Sequence, residues 1–136
     1  MSYLLDTNVI SELVRANPDD RVLRWFAEVP DEALHVSVLT LGEIRKGVEN
    51  LSSGPRRERL RVWLETELRD WFGDRVLAVD AGVADRWGRL LAEARRPVPA
   101  IDSLIAATAL HHDLRLVTRN GADFDFPGLE VVDPWA

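Results

Sequence analysis

Short apolar runs alternate along the chain with longer segments in which apolar positions recur every three or four residues. The short runs are typical of buried strands, and the longer segments are typical of amphipathic helices. The predicted strands are Tyr3–Leu5, Leu34–Val36, Arg75–Val79, Leu116–Val117 and Leu129–Val132. The predicted helices cover segments 9–14, 22–29, 38–51, 56–72, 83–91 and 101–112.

This alternation of strands and helices predicts an α/β fold. The expected architecture is a central, mostly parallel sheet of about five short strands, flanked by helices on both faces. A chain of 136 residues, 46% of them hydrophobic, fits one globular domain over residues 1–136. In such a sheet, ligands bind beyond the carboxyl ends of the strands.

Four acidic residues lie where this fold would carry them to that same edge. They are Asp6, Glu43, Asp102 and Asp123. Two carboxylates 4 Å apart repel by roughly 4 kcal/mol at an effective dielectric near 20, so a cluster of them implies a bound cation. Hard oxygen ligands suit Mg²⁺ or Mn²⁺. The placement therefore predicts a divalent metal site, and a metal ion held in this way can activate a bound water as a nucleophile.

Each acid also has a structural explanation when it is taken alone. Asp6 and Asp102 stand where a helix begins and would act as N-caps, and Glu43 would pair with Lys46 on a helix surface. Asp123 would bond its own backbone in a turn. Asp80 follows a strand in the same way as Asp6, but Ala81 and Gly82 offer no further polar ligand, so we assign it to capping.

Composition narrows the possible functions. The formal net charge of −6 argues against a protein that coats nucleic acid without sequence preference, and it leaves a nuclease possible. Six basic residues form a local stretch, which we interpret as a solvated helix face paired with Glu58, Glu65 and Glu67. They are Arg45, Lys46, Arg56, Arg57, Arg59 and Arg61. The absence of cysteine, of a signal sequence and of a long apolar run favours a cytoplasmic protein without membrane contact.

Other chemistries fit the chain less well. None of the three histidines is expected beside a nucleophile, and no glycine-rich phosphate loop followed by lysine is present. A magnesium-binding regulatory or phosphoacceptor module is an alternative, although the single lysine, Lys46, falls inside a helix and not at the end of a late strand. A non-catalytic interaction domain whose acids bind a basic partner is the other alternative.

Four segments of the chain resemble the four motifs of PIN-domain ribonucleases, and most closely those of VapC-type toxins from bacterial toxin–antitoxin pairs. The segments are Tyr3–Glu12 (YLLDTNVISE), Ser37–Gly47 (SVLTLGEIRKG), Ala100–Ala109 (AIDSLIAATA) and Leu116–Phe124 (LVTRNGADF). The first and last segments have distinctive local sequences, whereas the two helical segments are supported mainly by their order and spacing along the chain.

The resemblance implies a PIN-like fold, a Mg²⁺ or Mn²⁺ cofactor and endonucleolytic cleavage of RNA. It implies a cognate small antitoxin as partner, a homodimer, and contact with DNA only indirectly through the antitoxin. By position, Asp6, Glu43, Asp102 and Asp123 match the family's catalytic, metal-binding acids. The neighbouring polar residues match more loosely: Thr7, Asn8, Thr118 and Asn120. Asp125 is a second candidate for the fourth acid, and we prefer Asp123.

Overall fold

A computed structural model describes all 136 residues, Met1 to Ala136. Five short strands form one sheet: β1 (Tyr3–Leu5), β2 (Leu34–Ser37), β3 (Val76–Leu77), β4 (Arg115–Val117) and β5 (Val131–Val132). Their spatial order is β3-β2-β1-β4-β5. Every neighbouring pair is parallel, so the sheet is wholly rather than mostly parallel.

The helices lie between these strands and end close to their predicted bounds. They are α1 (Thr7–Glu12), α2 (Asp20–Glu28), α3 (Val38–Glu49), α4 (Pro55–Val62), α5 (Arg69–Phe72), α6 (Ala81–Glu93) and α7 (Ala100–His111). Ser37 caps α3 as its sequence position indicates, because its side chain accepts the backbone N–H of Leu39 at 3.1 Å. No helix is long and apolar enough to cross a membrane.

Helices cover both faces of the sheet, and the two faces build two cores. Leu5 and Val117 belong to the larger core, on the side of α1 to α5, whereas Leu4 and Leu116 belong to the second core, with α6 and α7. Consecutive residues of β1 and β4 thus point to opposite faces, as the period of a strand requires. The predicted α/β architecture is confirmed.

The long helix predicted over 56–72 differs from expectation in its middle. Between α4 and α5 the chain continues as a π-helix, Trp63–Leu68. Leu64, Leu68 and Phe72 recur every four residues and are all buried. In an ideal α-helix, residues four apart are offset by about 40° around the helix axis. The wider turn of the π-helix offsets this drift, so these three side chains all face the core.

Two predicted strands are shorter in the structure. The strand predicted over 75–79 is reduced to Val76–Leu77, since Arg75 closes a 3₁₀ turn and donates to the carbonyl of Leu34 at 2.6 Å. The last strand begins at Val131 rather than Leu129, because the Leu129 N–H donates to the carbonyl of Phe126 in a turn.

The predicted pairing of the basic stretch with glutamates is found for three of its six residues. Arg45 lies 3.3 Å from Glu65, Arg61 pairs with both Glu58 and Glu65, and Arg57 pairs with Glu49 at 3.1 Å. Glu67, which was expected among these partners, makes no ion pair. Lys46, Arg56 and Arg59 also form no ion pair, so the pairing of this stretch is partial.

Candidate active site

Asp6 occupies the centre of the candidate site, at the carboxyl end of β1. It is 9% exposed, and its backbone N–H donates to the carbonyl of Val117 in β4 at 2.9 Å. One carboxylate oxygen, Oδ1, accepts the backbone N–H of Thr7 at 2.8 Å and so caps α1. The capping explanation of Asp6 is therefore correct, but it accounts for only one of the two oxygens.

The second oxygen of Asp6 accepts a hydrogen bond from the neighbouring strand end. The fully buried hydroxyl of Thr118 donates to Oδ2 at 2.9 Å. The Asn8 amide lies 3.5 Å from Oδ2 and donates to the Thr118 hydroxyl at 3.3 Å. The N–H of Asn120 also donates to that hydroxyl, at 3.1 Å. These donors orient the Asp6 carboxylate. Asn8, Thr118 and Asn120, which match the family's polar positions only loosely, thus support Asp6 directly or through Thr118.

Glu43 reaches the same site from α3. Its Oε1 accepts the hydroxyl of Thr7 at 2.7 Å, which joins the start of α1 to the second turn of α3. The surface pairing with Lys46 expected from sequence is absent. Glu43 is exposed and borders a groove of about 340 Å³ that includes Val48, Leu60 and Trp63.

Asp102 enters from the first turn of α7 and is partly buried. It does not cap the helix, because Pro99 occupies the N-cap position. Its turn is held by Ser103, whose hydroxyl donates to the Ala100 carbonyl and accepts the indole N–H of Trp87, both at 2.9 Å. The contact with Trp87 fixes this turn against α6.

The four acids are close enough for their charges to affect the pKa values of Asp6 and Asp102. Burial raises the pKa of Asp6, and the charges of Glu43 and Asp123 raise it further, against the lowering effect of its Thr118 and Thr7 hydrogen bonds. Burial also raises the pKa of Asp102, with further contributions from Asp6, Asp123 and Glu43. Asp80 behaves differently, because the N–H of Val83 lowers its pKa and marks it as a cap.

Asp123 and Asp125 lie in different surroundings. Asp123 follows Asn120 in a 3₁₀ turn, Gly121–Phe124, and its charge acts on both Asp6 and Asp102. Asp125 instead lines a pocket beside Arg95 and Arg96. Of the two, Asp123 is the acid that approaches the others.

The donor set suits a hard divalent cation in its chemistry. No three acidic or histidine side chains converge in the structure closely enough to hold one ion together. Magnesium, however, usually binds through one or two carboxylates and retains several waters. A cation would also relieve the repulsion that raises the pKa values of Asp6 and Asp102. Asp6, Glu43, Asp102 and Asp123 are thus compatible with Mg²⁺ or Mn²⁺ bound through a subset of them.

Asp6→Asn should leave the metal-free protein equally or more stable at neutral pH. Because the folded pKa of Asp6 is raised, ionisation costs stability, and this cost appears as the pH rises through the folded pKa. The variant's gain in free energy of unfolding should therefore be present at pH 7 and should vanish below the pKa of an aspartate in the unfolded chain, about 3.9. Chemical denaturation in a chelator at both pH values measures it.

Asp80→Asn is the matched control for this stability measurement. Its folded pKa is lowered, so its carboxylate stabilises the fold above the unfolded pKa, and the variant should be less stable at neutral pH. If Asp6→Asn behaved like Asp80→Asn, the capping bond of Asp6 would outweigh its desolvation.

The chain is similar in sequence to known proteins over nearly its whole length. The sequence model of the PIN domain family matches residues 3–126. The VapC ribonuclease Y4jK of Sinorhizobium fredii is 36% identical over 135 residues, covering 97% of this chain and 96% of its own. The toxin FitB of Neisseria gonorrhoeae is also 36% identical over 135 residues, with 97% of both chains covered.

Solved structures agree with the sequence relatives. The FitAcB structure from Neisseria gonorrhoeae superposes with a TM-score of 0.92 at 35% identity and covers 98% of both chains. A member of the VapBC family of toxin–antitoxin systems, VapBC-5 from Mycobacterium tuberculosis, gives a TM-score of 0.66 at 29% identity and covers 96% of this chain and 95% of its own. The family model and the relatives together span nearly the full chain, which therefore belongs to the PIN domain family.

Proposed function

We propose that the chain is a divalent-metal-dependent endoribonuclease and the toxin component of a toxin–antitoxin pair. The observation that carries the proposal is the placement of Asp6, Glu43, Asp102 and Asp123 close enough together for the neighbouring charges to contribute to the raised pKa values of Asp6 and Asp102. Membership of the PIN family and relatives named as VapC ribonucleases support RNA as the substrate.

The residues of the chain have separable roles in this proposal. Asp6 and Asp102, the more buried acids, would hold the cation, with Glu43 and Asp123 completing its surroundings through direct or water-mediated contacts. Thr118 and Asn8 keep the Asp6 carboxylate in one orientation. When bound, the cation would supply water activation and neutralise charge at the phosphate for in-line displacement.

The proposed biological partner is a small antitoxin protein. Relatives named as toxins and the toxin–antitoxin family of a structural neighbour support this role. The groove that begins at Thr7 and Glu43 offers a surface for such a partner, because Ile44, Leu51 and Trp63 give it an apolar floor. A homodimer, a cytoplasmic location and indirect DNA contact through the antitoxin remain predictions from the family resemblance.

The phosphoacceptor alternative gains no support from the structure. Lys46, the single lysine, lies in the last turn of α3 and not at the end of a late strand. The non-catalytic alternative is separated by experiment, since an acidic surface that merely binds a basic partner would not cleave RNA.

Cleavage should require added divalent cation. Purified protein in a chelator should leave a panel of labelled RNAs intact, and titration with Mg²⁺ or Mn²⁺ should restore internal cleavage. The same titration should raise the melting temperature, because a ligand at about a hundred times its dissociation constant adds about 2.7 kcal/mol to the free energy of unfolding. Undiminished cleavage in the chelator, or no cleavage and no stabilisation with either ion, would refute the proposed chemistry.

A further inference from the structure

Segment 119–126, which carries Asp123, has an arginine placed over a buried aromatic ring at each end. Arg119 at its start lies over Trp135, and Phe126 at its end lies beneath Arg96. The guanidinium carbon of Arg119 lies 5.1 Å from the ring centroid of Trp135, and that of Arg96 lies 5.2 Å from the centroid of Phe126. Both rings are 6% exposed, whereas both arginines are exposed. Each guanidinium is thus supported on one face by the core.

Both arginines are connected to segments that carry the acids. Arg119 directly follows Thr118, the donor to Asp6, and its backbone N–H donates to the side-chain oxygen of Asn8 at 3.3 Å. Arg96 donates to the backbone carbonyl of Asp125 at 3.2 Å, two residues beyond Asp123. Arg96 also lies in the connection that leads from α6 into α7, the helix of Asp102.

Neither arginine is neutralised by a carboxylate. Arg45, Arg57 and Arg61 all form ion pairs, whereas Arg96 and Arg119 form none. Glu93 and Asp125 line the same pocket of about 270 Å³ as Arg96, but their carboxylates are beyond ion-pair distance. Binding of a polyanion needs such unpaired arginines, because a chain of net charge −6 with four clustered acids otherwise repels it.

We propose that Arg96 and Arg119 form a two-point grip on the phosphate backbone of a single-stranded RNA that enters the site. This inference rests on the proposed ribonuclease function and adds residues to it. A guanidinium presents planar N–H donors that match a phosphate in two parallel hydrogen bonds. Contact with the rings of Trp135 and Phe126 restricts both side chains before binding, and each guanidinium keeps N–H donors that are not bonded to a carboxylate.

Salt dependence of RNA binding tests this grip without relying on cleavage. Binding of a labelled, unstructured RNA would be followed by fluorescence anisotropy in a chelator, from about 50 to 200 mM salt. Each of Arg96→Gln and Arg119→Gln should lower the slope of log Kd against log salt by about 0.7, and the double variant by about 1.4. Each single variant should weaken binding about fivefold, the upper range for an exposed ion pair.

Matched variants separate the grip from general charge and from folding. Arg24→Gln removes the same charge from an exposed, unpaired arginine on α2 and should leave the slope unchanged. Arg96→Lys and Arg119→Lys should recover most of the slope, since the charge is kept. Melting temperatures of the glutamine variants should stay close to that of the wild type, because both guanidinium groups are exposed.

The outcomes distinguish this inference from the function on which it rests. Equal slopes for wild type, Arg96→Gln and Arg119→Gln would overturn the grip, even if metal-dependent cleavage is observed. RNA binding with the expected slope changes, but without cleavage under any metal condition, would overturn the ribonuclease and retain the grip. Absence of RNA binding by the wild type in the chelator would overturn the grip, whereas the ribonuclease is judged separately by cleavage with added Mg²⁺ or Mn²⁺.

Discussion

Asp6→Asn should reduce metal-dependent RNA cleavage by at least about a hundredfold, the loss typical for removal of one preorganised electrostatic group at a reaction centre. Asparagine keeps the size of the side chain and one oxygen, so the N–H of Thr7 retains an acceptor and α1 remains capped. It lacks the negative charge that would bind a divalent cation. Initial rates of cleavage, measured at several Mg²⁺ and Mn²⁺ concentrations, report the effect.

Asp80→Asn is the control for chemistry as well as for stability. Asp80 makes the same kind of capping bond, to the N–H of Val83 at 2.9 Å, but it does not act on the pKa of Asp6 or Asp102. Its substitution should leave cleavage near the wild-type rate. Wild-type cleavage by Asp6→Asn, or an equal loss in both variants, would contradict a metal-binding role for Asp6.

The same pair of variants examines the toxin role in cells. Induced expression of the wild type and of Asp80→Asn should arrest bacterial growth, and Asp6→Asn should not. Growth should return when a small protein encoded beside the chain's gene is co-expressed. Arrest by Asp6→Asn would show that toxicity does not depend on the proposed site.

Thr118→Val should weaken metal activation of cleavage by about ten- to a hundredfold, the usual effect of removing a residue that orients a metal ligand. Valine fills nearly the same space, but Oδ2 of Asp6 loses its 2.9 Å donor at a buried position. This hydrogen bond lowers the pKa of Asp6, so its loss should raise that pKa further. Higher metal concentration and higher pH should therefore restore part of the activity.

Two variants control for this substitution. Thr118→Ser keeps the hydroxyl and should retain most of the activity. Thr108→Val makes the same exchange at another buried threonine, whose hydroxyl donates to the Leu104 carbonyl within α7 and is not bonded to the acids. A change in cleavage that is equal in Thr118→Val and Thr108→Val would assign the effect to core packing. A loss of maximal cleavage rate in Thr118→Val that higher metal concentration does not restore would also contradict the positioning role of Thr118.

Sequence patterns predicted the parts of this fold that depend on local periodicity. β1 and the cap at Ser37 are found as expected, because apolar runs and a hydroxyl before a helix act over a few residues. Parallel strands then place their carboxyl ends at one edge, which is how Asp6 and Thr118 could be expected near each other.

Contacts between distant side chains could not be predicted in this way. The bond from Thr7 to Glu43 depends on how α1 meets α3, and the π-helix depends on how three residues fit a core that other elements complete. Burial of Trp135 next to the carboxyl terminus, with Arg119 stacked on it, likewise results from tertiary packing. The choice between Asp123 and Asp125 required the path of the loop that joins β4 to β5.

The hydrogen bond between Asp6 and Thr118 joins residues 112 positions apart in the chain. During synthesis, Asp6 is therefore added 112 residues before Thr118, its hydroxyl donor at the end of β4. A nascent chain that still lacks β4 has no neighbouring strand to accept the Asp6 N–H and no donor for Oδ2. The centre is therefore assembled only after β4 and Thr118 have been translated.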